Sequence, residues 1–162
     1  MKYLPKILPI AEKIFLLLLV IGAGMKAIDK GGSMFLALAL SGLACVYFLG
    51  IHVPSEVKIE EGEEPSGFKM LLILSILPRV IGISLAVSII GIQFYLLQLE
   101  GSAVMLLVGG QTIIVAMFLF LVMQLNGTPY VESLRPKMLR GLVVVGAIAV
   151  IWFEGGLVLP QG

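Results

Sequence analysis

Five long runs of apolar residues, separated by short polar or charged segments, make up most of this chain of 162 residues. A helix needs about 20 apolar residues to cross a hydrocarbon layer of about 30 Å. The runs are continuous rather than alternating, which favours helices over the strands of a β-barrel. The pattern predicts five membrane-spanning helices, at about residues 10–28, 34–51, 80–99, 103–125 and 141–159.

The apolar segment FKMLLILSIL, residues 68–77, precedes the third run and allows two interpretations. Joined to the third run, it would give a helix about 45 Å long, which could cross a membrane only at a tilt. Pro78 and Arg79 offer a break between the two segments, because a proline ring disturbs a helix interior. The segment is therefore either a short interfacial helix or a tilted extension of the third span.

Composition supports the membrane class and excludes several kinds of chemistry. The chain is 59% hydrophobic and 13% charged, whereas soluble domains carry about 25% charged residues. A net charge of +1 provides no broad basic surface for nucleic acid. With Cys45 as the one cysteine and His52 as the one histidine, the usual zinc and haem ligand sets are missing. We expect no catalytic residue, cofactor or metal.

Lysine and arginine are distributed unequally between the two sides that five spans would create. Nine lie on the side of the N-terminus and two on the other side, which predicts a cytoplasmic N-terminus and an external C-terminus. Asn126 and Gly127 would then form a cytoplasmic turn after the fourth span. The expected location is the inner membrane of a bacterium. The nine are Lys2, Lys6, Lys13, Lys58, Lys69, Arg79, Arg135, Lys137 and Arg140, and the two are Lys26 and Lys30.

Two parts of the chain align with each other at a fixed offset of 69 residues, without a gap. The most informative matches are those of a proline, a glycine and a Gly-Ser pair, since apolar matches are common in any membrane sequence. They pair Pro9 with Pro78, Gly22 with Gly91, and Gly32-Ser33 with Gly101-Ser102. We interpret residues 7–51 and 76–125 as duplicated helical hairpins, related as parallel repeats by an axis along the membrane normal.

The duplication divides one transmembrane domain, residues 1–162, into four parts. Between the two hairpins lies a linker, residues 52–67, which holds five glutamates and one lysine. Its composition predicts a solvated cytoplasmic segment. The fifth helix, residues 139–159, lies outside the repeat. The predicted fold class is an all-α membrane protein with two parallel-repeat hairpins and a fifth helix.

The first hairpin resembles a known family. Residues 21–49, IGAGMKAIDKGGSMFLALALSGLACVYFL, are similar to the transmembrane hairpin of GldL, a motor subunit of Bacteroidota gliding and type 9 secretion. Gly22-Ala23, Met25-Lys26 and Gly32 stand at matching spacing. Gly31 replaces the family's turn proline, Ala44 replaces its acidic helix residue, and its large cytoplasmic region has no counterpart in these 162 residues. The resemblance implies a related hairpin in a similar bacterial membrane, without proton-driven motor activity.

Three charges, Lys26, Asp29 and Lys30, lie in the turn of the first hairpin, whose repeat equivalents are Tyr95, Gln98 and Leu99. The absence of those charges from the second copy favours an interfacial role, in which Lys26 extends to the outer interface and Asp29 pairs with a lysine. The alternative is an outer-face site for an anionic group or a partner protein.

Three further polar residues are candidates for function. Glu154 follows Trp152 and Phe153 near the outer boundary of the fifth span, and it either reaches the headgroups or acts as an intramembrane acid. Glu100 precedes the second Gly-Ser turn on the same side, and Gln111 lies within the fourth span. Ser84, Ser88 and Gln93 in the third span are expected to support close helix packing and hydrogen bonds between helices.

The sequence favours a small, non-enzymatic membrane protein that acts as a structural or accessory component of a complex. Its expected partners are the lipid bilayer and either other membrane proteins or further copies of itself. A small transporter or channel for an ion or polar solute is the alternative, with Glu154, Gln111 and Glu100 as its polar stations. The scarcity of ionisable groups near the middle of the spans favours the first interpretation.

The predicted topology can be tested with reporters fused after Gly162 and inserted in the linker. The unequal lysine and arginine counts should place the C-terminal reporter outside and the linker reporter in the cytoplasm. A C-terminal reporter found in the cytoplasm would contradict the topology.

Overall fold

In a computed structural model, which describes residues 3–28, 31–53, 71–128 and 131–153, the chain is a bundle of five long helices. The five helices confirm the all-α part of the prediction, and all five are long and apolar enough to cross a membrane. A π-helical turn, Leu72–Ile76, precedes α3, and a 3₁₀ turn, Val131–Leu134, precedes α5. The helices are α1 (Leu4–Ala27), α2 (Ser33–Gly50), α3 (Leu77–Leu96), α4 (Ser102–Leu125) and α5 (Arg135–Phe153).

Helices α1 and α5 begin about six residues before the apolar runs that predicted them. Pro5 lies in the first turn of α1 and Pro136 in that of α5, where a proline is tolerated because its missing N–H has no helical partner. Hydropathy marks the part of a helix that lies in hydrocarbon, whereas the helix itself continues through a polar interface. The residues that follow Phe153, which include the predicted end of the fifth span, lie outside the described residues.

The structure joins the end of the ambiguous segment to the third span. The π turn runs directly into α3, and together they form a candidate span, Leu72–Leu96. Within the turn, the backbone N–H of Leu77 bonds to the carbonyl of Leu72, five residues earlier. Pro78 follows at once, so the wider turn accommodates a proline that would otherwise break the helix. Residues 72–77 are therefore an extension of the span, and residues 68–70 lie outside the described part.

Helix α3 is the centre of the bundle and α1 is its most peripheral member. Helix α3 packs against α2, α4 and α5, whereas α1 packs mainly against α2. Half of the apolar window of α3 with its π turn is buried, against 11% of that of α1. The main core joins residues of α3 and its π turn to α4, the 3₁₀ turn and α5. Its largest fully buried side chains are Ile73, Ile81, Leu85, Ile113 and Leu134.

Each hairpin contains a close contact between a glycine of its first helix and a leucine of its second. A Cβ atom on Gly22 would lie 2.9 Å from the backbone nitrogen of Leu36, and one on Gly91 would lie 3.0 Å from that of Leu106. The two helical backbones can approach this closely only because these positions lack a side chain. The second helix of each hairpin begins at the serine of its Gly-Ser pair, α2 at Ser33 and α4 at Ser102.

The small residues of α3 lie where neighbouring helices approach most closely, as the sequence predicted. A Cβ atom on Gly82 would meet Ile51 at 2.7 Å, and Ala86 belongs to a buried cluster shared with α2. On the other side of α3, Gly109 of α4 faces Ser88. The hydroxyl of Ser41 in α2 donates to Oε1 of Gln93 in α3 at 3.1 Å, which confirms that Gln93 bonds between helices.

We predict that Gly109→Ala destabilises the bundle by about 1–3 kcal/mol, because an added methyl group must displace the α3 backbone. Its Cβ atom would overlap the hydroxyl of Ser88 and lie 3.0 Å from the Ser88 backbone nitrogen. Gly146→Ala in α5 is the matched control, since nothing lies within 4 Å of a Cβ atom there. Thermal unfolding in detergent measures both, and an equal response of the two variants would contradict the predicted α3–α4 contact.

Candidate functional site

A buried carboxylate joins three helices at the end of the bundle that contains the start of α1. Glu12 is 7% exposed, although most of α1 around it is exposed. The hydroxyl of Tyr47 in α2 donates to Oε1 of Glu12 at 2.9 Å. Nε of Arg140 in α5 contacts the same oxygen, also at 2.9 Å. Two donors from different helices thus converge on one atom.

This arrangement satisfies a charge that could not otherwise lie so deep in the apolar bundle. Glu12 is eight residues from the first residue of α1, or about 12 Å along the helix axis. A carboxylate removed from water is stable only when it is paired and hydrogen-bonded. The side chain of Arg140 is 42% exposed, so the ion pair reaches from the interior to the surface. Glu12 thereby connects peripheral α1 to α5 as well as to α2.

A cavity of about 480 Å³ lies beside the ion pair. It is lined by Glu12, Tyr47 and Arg140, by Lys137 and Ser133, and by apolar residues of α1, α2 and α3. Pro5, Pro9 and Pro78 form part of its wall. We call it the inner cavity, since it lies on the side predicted to be cytoplasmic.

A second cavity, of about 570 Å³, adjoins the inner cavity and, like it, is lined by two cationic side chains. The two share Gly50, Val53, Pro78 and Lys137 in their walls. The second cavity adds Arg79 and His52. We call the two together the basic cleft, defined by the cations Arg79, Lys137 and Arg140. Its charge and apolar walls suit an anionic amphiphile.

At the opposite end of the bundle, Lys26 lies beside the turn of the second hairpin. A cleft of about 490 Å³ is lined by Lys26 and by Tyr95, Gln98, Leu99 and other residues of that turn. Tyr95, Gln98 and Leu99 are also the residues that the repeat aligns with Lys26, Asp29 and Lys30. The repeat equivalents of the three charges therefore lie next to Lys26. Asp29 and Lys30 lie outside the described residues, so the expected pairing of Asp29 stays a prediction.

The remaining candidates are dispersed. Glu100 is exposed in the turn before α4, and Gln111 is exposed on the side of α4. In the part of the chain that the structure describes, no hydrogen bond or ion pair joins Lys26, Glu100 and Gln111. Glu154 lies outside that part. The described contacts therefore do not bring together Gln111 and Glu100, two of the polar residues that the alternative transporter would use.

Two hydroxyl groups of the spans bond within their own helices, whereas the buried hydroxyl of Ser88 has no hydrogen-bond partner among the described residues. The hydroxyl of Ser84 donates to the carbonyl of Val80, and that of Thr112 to the carbonyl of Val108. Among the described residues, no group of three or more histidine, cysteine, aspartate or glutamate side chains could hold a metal ion. The chain matches no protein-family model, and no curated protein or solved structure is similar enough to count as a match.

One feature of the sequence indicates the ion pair. Glu12 is an acid within an otherwise apolar stretch of the first span, where a charge needs a partner. In the sequence, Arg140 is one of nine cations on the side of the N-terminus, and Tyr47 lies in an apolar span without a polar neighbour. The three residues come from helices far apart in the chain, so spacing could not show that they meet.

We predict that Glu12 and Arg140 are energetically coupled. Glu12→Gln and Arg140→Gln should each lower the free energy of unfolding by about 1–3 kcal/mol, because each leaves a partner without its counter-charge. The double variant should lose less than the sum of the two. Denaturation of the four proteins in one detergent measures the coupling.

Lys13→Gln is the control for that cycle, since Lys13 is the exposed neighbour of Glu12 and has no ion pair with a described residue. It should change the free energy of unfolding little. Additive losses in the double variant would show that the ion pair does not support the bundle.

Proposed function

We propose that the chain is a small, non-enzymatic membrane protein that acts as a structural or accessory component by packing against other helices, most simply a second copy of itself. The observation that carries this proposal is the exposed position of Gln111 on an apolar face of α4.

The face around Gln111 has the spacing of a helix-packing seam. Exposed residues recur at alternating intervals of four and three, which keeps them on one side of the helix. Four of the seven members of this face are valines, and valine is a β-branched residue that suits the packing of two helices. The face, which we call the α4 seam, comprises Val104, Val108, Gln111, Val115, Phe118, Val122 and Leu125.

The amide of Gln111 makes this seam more than a lipid-exposed surface. It lies nine residues into α4, about 14 Å along the axis, where lipid offers neither donors nor acceptors. Glutamine amides commonly bond between helices in membranes. A two-fold axis along the membrane normal would place Gln111 opposite its own copy, where each amide both donates and accepts.

The resemblance to the GldL hairpin and the internal duplication are part of the same proposal. The ends of α1 and α3, Ala27 and Leu96, are 69 positions apart, as are the first residues of α2 and α4. The aligned glycines Gly22 and Gly91 each lie against the second helix of their hairpin, at Leu36 and Leu106, which are 70 positions apart instead of 69. We propose a bacterial inner membrane location with a cytoplasmic N-terminus, supported by the lysine and arginine distribution.

We predict that Gln111→Leu weakens self-association roughly 5- to 30-fold, because it removes a reciprocal pair of hydrogen bonds worth about 1–2 kcal/mol. Sedimentation equilibrium in density-matched detergent measures the dissociation constant. Thr112→Val is the matched control, since the Thr112 hydroxyl already bonds to its own helix at 2.7 Å.

The mass of the assembly extracted gently from native membranes decides between the possible partners. A homo-oligomer supports self-association, and a larger assembly with other membrane proteins supports an accessory role. A monomer would contradict the proposal. Ion flux through liposomes that contain the purified protein, abolished by Glu154→Gln, would instead support the transporter alternative.

A further inference from the structure

The basic cleft has a composition that differs from the rest of the bundle. Its inner cavity and the adjoining cavity measure about 480 and 570 Å³ and share part of their walls. Cations line it from two helices: Arg79 near the start of α3, and Lys137 and Arg140 near the start of α5. Most of the remaining wall consists of proline, leucine, isoleucine, valine and glycine residues, and its other polar residues are Glu12, Tyr47, His52, Ser75 and Ser133.

Glu12 is the one carboxylate among the described residues that line the cleft, and it is paired with Arg140, so the charges of Lys137 and Arg79 are left without an ion pair there. Lys137 and Arg140 are three residues apart on α5, so their side chains are neighbours on one face of the helix, and both line the inner cavity. Arg140 contacts Glu12 through Nε. Its guanidinium carries four further N–H donors on the two terminal nitrogen atoms. Lys137 has no ion pair with any carboxylate of the described residues.

We propose that the basic cleft binds the phosphate headgroup of an anionic phospholipid. Lys137, which lines both cavities, contributes the central charge, Arg79 contributes a second, and the Arg140 guanidinium donates from the wall that Glu12 holds in place. The apolar walls distinguish this ligand from a soluble phosphate, since they favour an amphiphile whose acyl chains continue along the helices. Basic pockets between membrane helices are known to bind such headgroups.

The inference goes beyond the proposed association and does not depend on it. The cleft lies on α1, α2, α3, the 3₁₀ turn and α5, whereas the α4 seam lies on α4. A lipid site could therefore be found in a protein that never self-associates, and the protein could self-associate without binding a lipid in the cleft.

The test is a titration of the full chain in a non-ionic detergent with phosphatidylglycerol or phosphatidylcholine of identical acyl chains. Native mass spectrometry counts the bound lipids. We expect phosphatidylglycerol to bind at least fivefold more tightly than phosphatidylcholine. Because the full chain is used, any competition from the five glutamates of the linker is included in the measured selectivity.

Three variants separate a specific site from diffuse attraction. Lys137→Gln and Arg79→Gln should each reduce phosphatidylglycerol binding about fivefold. Arg135→Gln is the matched control, since Arg135 is exposed at the start of the same helix and lines neither cavity. Its affinity should stay within twofold of the unchanged protein. Arg79 is exposed, so Arg79→Gln serves if Lys137→Gln fails to fold.

Three results would overturn the proposal. Equal binding of the two lipids would show that the cleft does not select an anion. Equal losses in all three variants would show diffuse attraction at the surface. Displacement of bound phosphatidylglycerol by millimolar glycerol 3-phosphate would assign the cleft to a soluble phosphate instead of a lipid.

Discussion

In a hydrocarbon layer every polar group must find its partner within the protein, and this constraint organises the whole structure. For the backbone it requires helices, because only a helix satisfies its own N–H and carbonyl groups within one segment. Even the irregular turn before Pro78 obeys it, since the N–H of Leu77 bonds to the carbonyl of Leu72. Five helices of suitable length follow from five apolar runs.

The same constraint acts on side chains, and five polar residues of the spans illustrate three responses to it. Ser84 and Thr112 use the carbonyls of their own helices. Gln93 and Glu12 find partners on other helices of the bundle, and they hold α2 against α3 and α1 against α2 and α5. Gln111 belongs to neither group, because its side chain is exposed on α4. That exception is the reason to place a partner against the α4 seam.

The bundle also distributes its charges unequally between its two ends. One end contains the Glu12–Arg140 pair and the basic cleft, whose cations face apolar walls. At the other end, Lys26 lies beside uncharged residues of the second turn. Lys26 of the first hairpin thus lies beside Tyr95, Gln98 and Leu99 of the second. Any function of Lys26 therefore involves both hairpins.

Much of the architecture was predictable from local patterns. The number of helices, their approximate positions, the Gly-Ser turns and the small residues of α3 all depend on neighbouring residues along the chain. The predicted starts of α1 and α5 were less accurate. Their first turns, which contain Pro5 and Arg135, are more polar than the apolar runs, so hydropathy does not mark them as helical. The sequence also left open whether residues 68–77 extend α3, since a proline can either break a helix or follow a widened turn.

The sequence by itself thus determined the class of the protein and its five helices. Whether a segment can cross a hydrocarbon layer depends on the summed hydrophobicity of its consecutive residues, which the sequence gives directly. The tertiary structure alone decided which polar residues meet. Glu12, Tyr47 and Arg140 converge because their side chains reach one another from α1, α2 and α5 at the same end of the bundle, and Arg79 joins Lys137 in one cleft because α3 packs against α5. These contacts depend on which helix faces pack together. That packing is determined by the shapes of side chains that are distant in sequence.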